Sequence, residues 1–188
     1  MTKARPIEVK EWRRPQFWRN LFLYFWGFSF IGHVLEIPWA MLGNALGLRA
    51  SPASTIPLFS IAAPYGLGAV MLYLLLFPLV KKKRIGIVRM FIFGALITTM
   101  MEFISAALVA AFVGYNPFWN YSGRIFNLYG WVCLTNSLLF GVGSVVLLRW
   151  VFPFTERILG RIKPLYLNIA FWVLFIGYAL WQICFRIF

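Results

Sequence analysis

Residues 118–131, FWNYSGRIFNLYGW, form the longest polar interruption between two apolar runs in the second half of the chain. They set Asn120, Tyr121, Ser122, Arg124 and Asn127 in one short loop and the first turn of the next run. The run on either side is long enough to cross a bilayer core of about 30 Å. The loop is therefore read as the link between two membrane spans. Working outward, the same pattern repeats: long apolar runs separated by short polar or basic segments.

Five such runs are read, at about residues 17–42, 58–80, 87–113, 125–152 and 165–188. The predicted fold class is all-α, a polytopic bundle of about five transmembrane helices. Residues 1–16 are expected to be a cytoplasmic tail with a short interfacial helix around Trp12, and residues 17–188 a single transmembrane domain. The first apolar run is too long for a cleavable signal and lacks a small-residue cleavage site. Composition agrees with lipid as the main solvent. The 188 residues are 62% hydrophobic and only 12% charged, against about 25% charged in soluble domains.

The net charge of +13 would suggest nucleic acid in a soluble protein. Here the basic residues sit beside the ends of apolar runs, so no nucleic-acid partner is expected. With the N-terminus inside, five spans leave only Arg49, Arg124 and Arg186 outside and the other fifteen of the eighteen basic residues inside. That imbalance is what the positive-inside rule expects. It places the C-terminus outside and holds the inner face against anionic membrane lipids. The two cysteines, Cys133 and Cys184, match no metal or redox spacing and are read as inert thiols.

Two glutamates lie inside apolar runs. Glu36 shares a helical face with Ser29, His33 and Ala40, and Glu102 shares one with Thr98 and Ser105. A charge facing lipid costs several kcal/mol, so both faces must look at protein or water. At about 1.5 Å per residue, Glu36 lies roughly 25 Å past Arg19 and Glu102 roughly 20 Å past Arg89. Both fall in the outer half of the bilayer. Residues 63–69, APYGLGA, enter the second run at the same level, with Pro64, Gly66 and Gly68 weakening the helix there. Pro38 is expected to bend or end the first helix.

An outward pocket is expected where these groups meet. Two poorly solvated carboxyls could carry protons or bind a cation or an amine. If Arg124 neutralised one, the site would suit a zwitterion or a polar headgroup. His33 is read as a packing or hydrogen-bonding partner of Glu36, not a metal ligand. Asn136 and Ser137 are read as interhelical hydrogen-bonding groups, and Gly141 and Gly143 as close-packing positions. No metal site or cofactor is predicted. The chain has no P-loop, GxSxG elbow or HExxH motif, so ATP use would need another chain.

FIGHVLE in the first run, PYGLGA in the second, the lone glutamate of TTMMEFIS, and FWNYSGRIFNLYGWVCL together resemble the bacterial ABC-transporter type IV, or CmpB-like, membrane proteins. The resemblance covers about residues 20–155. Its most specific part is Trp119, Tyr121, Ser122, Phe126, Asn127 and Gly130, followed by Pro64-Tyr65-Gly66 and Glu102. Asn120 stands where members often carry Asp, and Arg49 lies outside the context of the family's Arg-Gly pair.

The resemblance implies a permease component of the bacterial inner (plasma) membrane. Such a chain would need a homo-oligomer or a separate subunit, for instance an ATPase. The expected substrate or ion pocket comprises Glu36, Glu102, His33, Tyr65, Asn120, Tyr121, Arg124 and Asn127. Two other functions stay open at this level. One is a membrane enzyme on a lipid-linked or amphipathic substrate, with the glutamates as acid and base and Arg124 holding an anionic headgroup. The other is a non-catalytic assembly partner.

Overall fold

The computed structural model describes residues 13–45, 62–116 and 120–187, with side chains undescribed at 39–40, 43–44 and 181–187. The expected helix around Trp12, most of the 43–57 loop with Arg49, and Trp119 lie outside the described residues.

The chain is mostly helical. Helix α1 (Pro15–Ala45) starts at Pro15, whose fixed φ and missing N–H suit a first turn. It continues through Pro38 instead of ending there. Helix α2 (Ala63–Leu75) holds Pro64 in its first turn, where no N–H partner is lost. The weakening expected at Pro64–Gly68 does not interrupt this helix. The interruption falls at its other end, at Leu76, because Pro78 lacks the N–H that would continue the ladder. A short helix, α3 (Phe77–Lys81), resumes beyond it. The exposed basic turn after α3 reverses through Lys83 at φ 54°, and Arg84 N–H closes it on Leu79 O at 2.9 Å.

Helix α4 (Ile87–Val113) ends on Gly114 in the left-handed region. Between α4 and α5 (Leu134–Val146) lies a hairpin of two short antiparallel strands, β1 (Asn127–Leu128) and β2 (Val132–Cys133). Asn127 faces Cys133 and Leu128 faces Val132. The fourth apolar run thus becomes helical only at Leu134, nine residues later than its composition suggests. A π-helical turn, Leu147–Val151, joins α5 to α6 (Phe152–Arg161), and α7 (Pro164–Ile187) closes the chain.

Three helical stretches are long and apolar enough to cross a membrane: Pro15–Pro38, Ile87–Val113 and Leu134–Arg161. Ala63–Leu75 and Pro164–Leu180 are shorter apolar helices. Large apolar side chains such as Leu96, Met100, Leu108 and Phe112 on α4 remain exposed, which suits a surface solvated by hydrocarbon.

The chain divides into two compact units. In the larger, Phe25–Phe154, the fully buried Phe152 ring meets Phe28, Tyr73 and Phe77 at centroid distances of 5.4–5.5 Å. Helix α4 packs on α5 through small residues. A Cβ on Gly94 would collide with the Ser144 side chain, and one on Gly141 would lie 2.6 Å from the Phe91 ring. Thr99 Oγ1 donates to Ser137 Oγ at 2.8 Å across the same interface. In the smaller unit, Met1–Tyr24 with Thr155–Phe188, Arg19 donates to Asn168 Oδ1 at 2.7 Å and to Pro164 O at 3.4 Å. Phe22 packs edge-on to Phe171 there.

Candidate functional site

The polar face of α1 is buried as its spacing requires: Ser29 and His33 are sealed from solvent and Glu36 is half-buried. Helix α2 meets this face closely. Ala62 N–H donates to Ser29 O at 3.2 Å, and a Cβ on Gly66 would strike Ser29 Oγ. Any side chain at Gly32 would collide with the Tyr65 ring. Gly32 therefore makes the slot for that ring, one helical turn before Glu36. The Tyr65 phenol lies close enough to Glu36 to feel its carboxyl, and it also lies within the field of Glu102.

The polar face of α4 is less uniform than its spacing suggests. Thr98 Oγ1 bonds back to Gly94 O at 2.7 Å and Ser105 Oγ to Met101 O at 2.7 Å, so both hydroxyls are spent on their own helix. Of the three, Glu102 is the one that reaches another element. It is 5% exposed, and its Oε1 accepts a bond from the Tyr121 hydroxyl at 3.4 Å. Asn136 Nδ2, on α5, donates to the same hydroxyl at 2.6 Å. Glu102 Oε2 is buried with no partner among the described residues.

The loop delivers Tyr121 by tying itself down. Tyr121 N–H donates to Gly130 O at 2.7 Å, and Arg124 N–H to Tyr121 O at 2.8 Å. The Asn127 side chain is the clip: Nδ2 donates to Arg124 O at 2.8 Å and Oδ1 accepts from Gly130 N–H at 3.0 Å. Phe126 and Tyr129 sit at φ 52° and 55°, a left-handed region that L side chains seldom adopt. Tyr129 and Trp131 pack at a tilt against Phe103, next to Glu102 on α4. Burial pushes the Tyr121 phenol above its usual range, and the carboxylate of Glu102 adds to the shift. The phenol therefore stays protonated and remains a donor.

The geometry thus brings together Glu36, Tyr65, Glu102 and Tyr121 from four separate segments, with Asn136 from a fifth. Among the described residues it does not bring in Asn120, Asn127 or Arg124. Asn120 is exposed and its Oδ1 accepts from the backbone N–H and hydroxyl of Ser122. Asn127 is likewise exposed and used up within the loop. Arg124 forms no ion pair or side-chain hydrogen bond with either glutamate among the described residues. His33 is buried one turn before Glu36. No group of three or more His, Cys, Asp or Glu side chains that could hold a metal occurs among the described residues.

Two members were missed as such in the sequence. Asn136 was read only as a helix-packing amide, and its one signal was being an amide inside an apolar run. Gly32 had a signal too, a glycine one turn before a membrane acid.

No curated protein and no solved structure matches the chain. Residues 23–185 match the family model described as "Putative ABC-transporter type IV". That span includes every residue of the cluster just described, and the chain belongs to this ABC-transporter-related family of membrane proteins.

Proposed function

We propose that the chain is a permease-type subunit that crosses the bacterial inner membrane five times and passes a solute through a polar pocket built on Glu36 and Glu102. In this reading the N-terminus is cytoplasmic, the C-terminus is outside and the pocket opens on the outer side. A homo-oligomer or a separate ATPase subunit completes the transporter, since the sequence has no P-loop of its own.

The observation that carries the reading is Glu102. An acid inside an apolar helix, buried yet with one oxygen lacking a partner among the described residues, is costly unless it serves a ligand or a proton. Its electrostatic proximity to Glu36, with Tyr65 near both, supports one shared site over two unrelated packing acids. The enzyme alternative needs a cation beside the acids to hold an anionic headgroup. Arg124, the residue suited to that, bonds to neither of them. The transport reading is preferred on that ground.

The test is solute accumulation in ATP-energised membrane vesicles carrying the wild-type chain or Glu102→Gln at equal levels. Untargeted mass spectrometry of the vesicle contents should find at least one solute enriched only with the wild type. Identical contents in both would overturn the proposal.

A further inference from the structure

We infer that the ligand of the Glu36–Glu102 site is a protonated primary amine, with its ammonium head held between the two carboxyls and the two phenols. The inference rests on the pocket reading above and adds the chemical class of what enters it.

Charge is the first consideration. The site gathers two carboxyls, and no described lysine or arginine contacts either of them. In a chain with a net charge of +13, that is a local exception. With both carboxyls ionised, an anionic ligand would add to their repulsion, and a neutral one would leave it standing. A cation relieves it, and in a poorly solvated site each such contact is worth several times its value in water.

Hydrogen bonding is the second. Among the described residues Glu102 Oε2 lacks a partner whichever way the carboxyl is protonated. If ionised, it is an acceptor with no donor; if protonated on that oxygen, it is a donor with no acceptor. The other bonds have their roles assigned: Tyr121 donates to Glu102 Oε1 and Asn136 to Tyr121, while Tyr65 lies beside Glu36. What the site offers a visitor is acceptor capacity. That capacity lies on Glu102 Oε2, on the Glu36 carboxyl and on the Tyr65 oxygen. An ammonium head brings three N–H donors and no acceptor, which complements that set.

The third consideration separates an amine from a metal ion. A divalent calcium-type ion takes six to eight oxygens, about, and magnesium a near-ideal octahedron. Two carboxyls and two phenols, one of them already bonded to Glu102, fall short of that. The phenol rings of Tyr65 and Tyr121 also suit the partly apolar shell of an alkylammonium, which a bare ion does not need.

The test uses the full-length chain in mild detergent with labelled methylammonium as the probe, read by scintillation proximity. Saturable binding is expected, displaced by longer primary alkylammoniums but not by sodium chloride at matched ionic strength. Glu102→Gln and Glu36→Gln should each weaken it by about tenfold or more, and Tyr121→Phe by less. All variants should elute as single species in size-exclusion chromatography. Tyr121→Phe keeps both acids and so remains informative if a glutamine variant does not fold. Absence of saturable binding by the folded wild type, equal displacement by sodium, or unchanged binding in the folded variants would each overturn the inference. Glu102-dependent vesicle uptake without methylammonium binding would sink the amine assignment alone and leave the permease reading in place.

Discussion

At the scale of single residues, Tyr121 is the joint of the site. One hydroxyl serves a carboxyl on α4 and an amide on α5, so removing it strands both. Tyr121→Phe should lower stability by about 1 kcal/mol, in keeping with side-chain hydrogen bonds inside membranes. Thermal unfolding in detergent would show it. Glu102→Gln should cost less than that, because a neutral amide still accepts from Tyr121 and removes a buried acid with an idle oxygen. If Glu102→Gln proved the more damaging of the two, the carboxyl would be a structural keystone and not a ligand-binding group. Asn127 acts entirely within the hairpin. Asn127→Ala should speed hydrogen exchange at Gly130 N–H by about tenfold, roughly the loss of one 1.4 kcal/mol bond, while the amides of α4 stay protected. Mass spectrometry of the hairpin peptide measures this.

At the scale of elements, close helix contact is where sequence changes should bite. Gly94→Leu drives a side chain into Ser144 and should destabilise the α4–α5 pair by about 1–3 kcal/mol. Gly143, on the same helix pair, has open space around a Cβ, so Gly143→Ala should raise stability by up to about 1 kcal/mol through helix propensity. Chemical denaturation of the two variants tests the contrast. The same elements show what was legible in the sequence. Apolar length located the long helices, since a bilayer demands it and little else produces it. The acids of α1 and α4 stood out for the same reason. Hydropathy alone misplaced the start of α5: Ile125, Phe126, Leu128 and Tyr129 are apolar yet belong to the hairpin and are largely exposed. The marks of the turn were Asn127 and Gly130, which act through backbone bonds that hydropathy does not register. Pro64 and Pro78 make a similar pair. Pro64 is the expected breaker, but Pro78, which lies where the helix would continue, is the one at which it is interrupted. Asn136 could not be tied to Tyr121 without knowing how the hairpin folds back.

At the scale of the whole molecule, the charges govern how the chain enters the bilayer. The basic turn at Lys81–Arg84 is exposed in full, and the cation of Lys81 lies 4.8 Å over the Phe77 ring. Such a cluster resists translocation. The proposed topology has the N-terminus and this turn inside, with the hairpin and the C-terminus outside. Reporter fusions test it directly. A reporter active only in the cytoplasm should work after residue 83 and fail after residue 123 or at the C-terminus, and one active only outside should give the reverse. Matching signals at the two termini would rule out an odd number of crossings.

The placement of Cys133 has a practical consequence. Its thiol is 2% exposed, at the base of the hairpin and electrically close to the Tyr121 phenol. In a Cys184→Ser background, a maleimide should reach this buried thiol only when the hairpin opens, so the chain carries its own gauge of hairpin opening. Should a ligand seat beneath Tyr121, the labelling rate would slow in proportion to occupancy, and transport could be followed stepwise without adding a foreign probe.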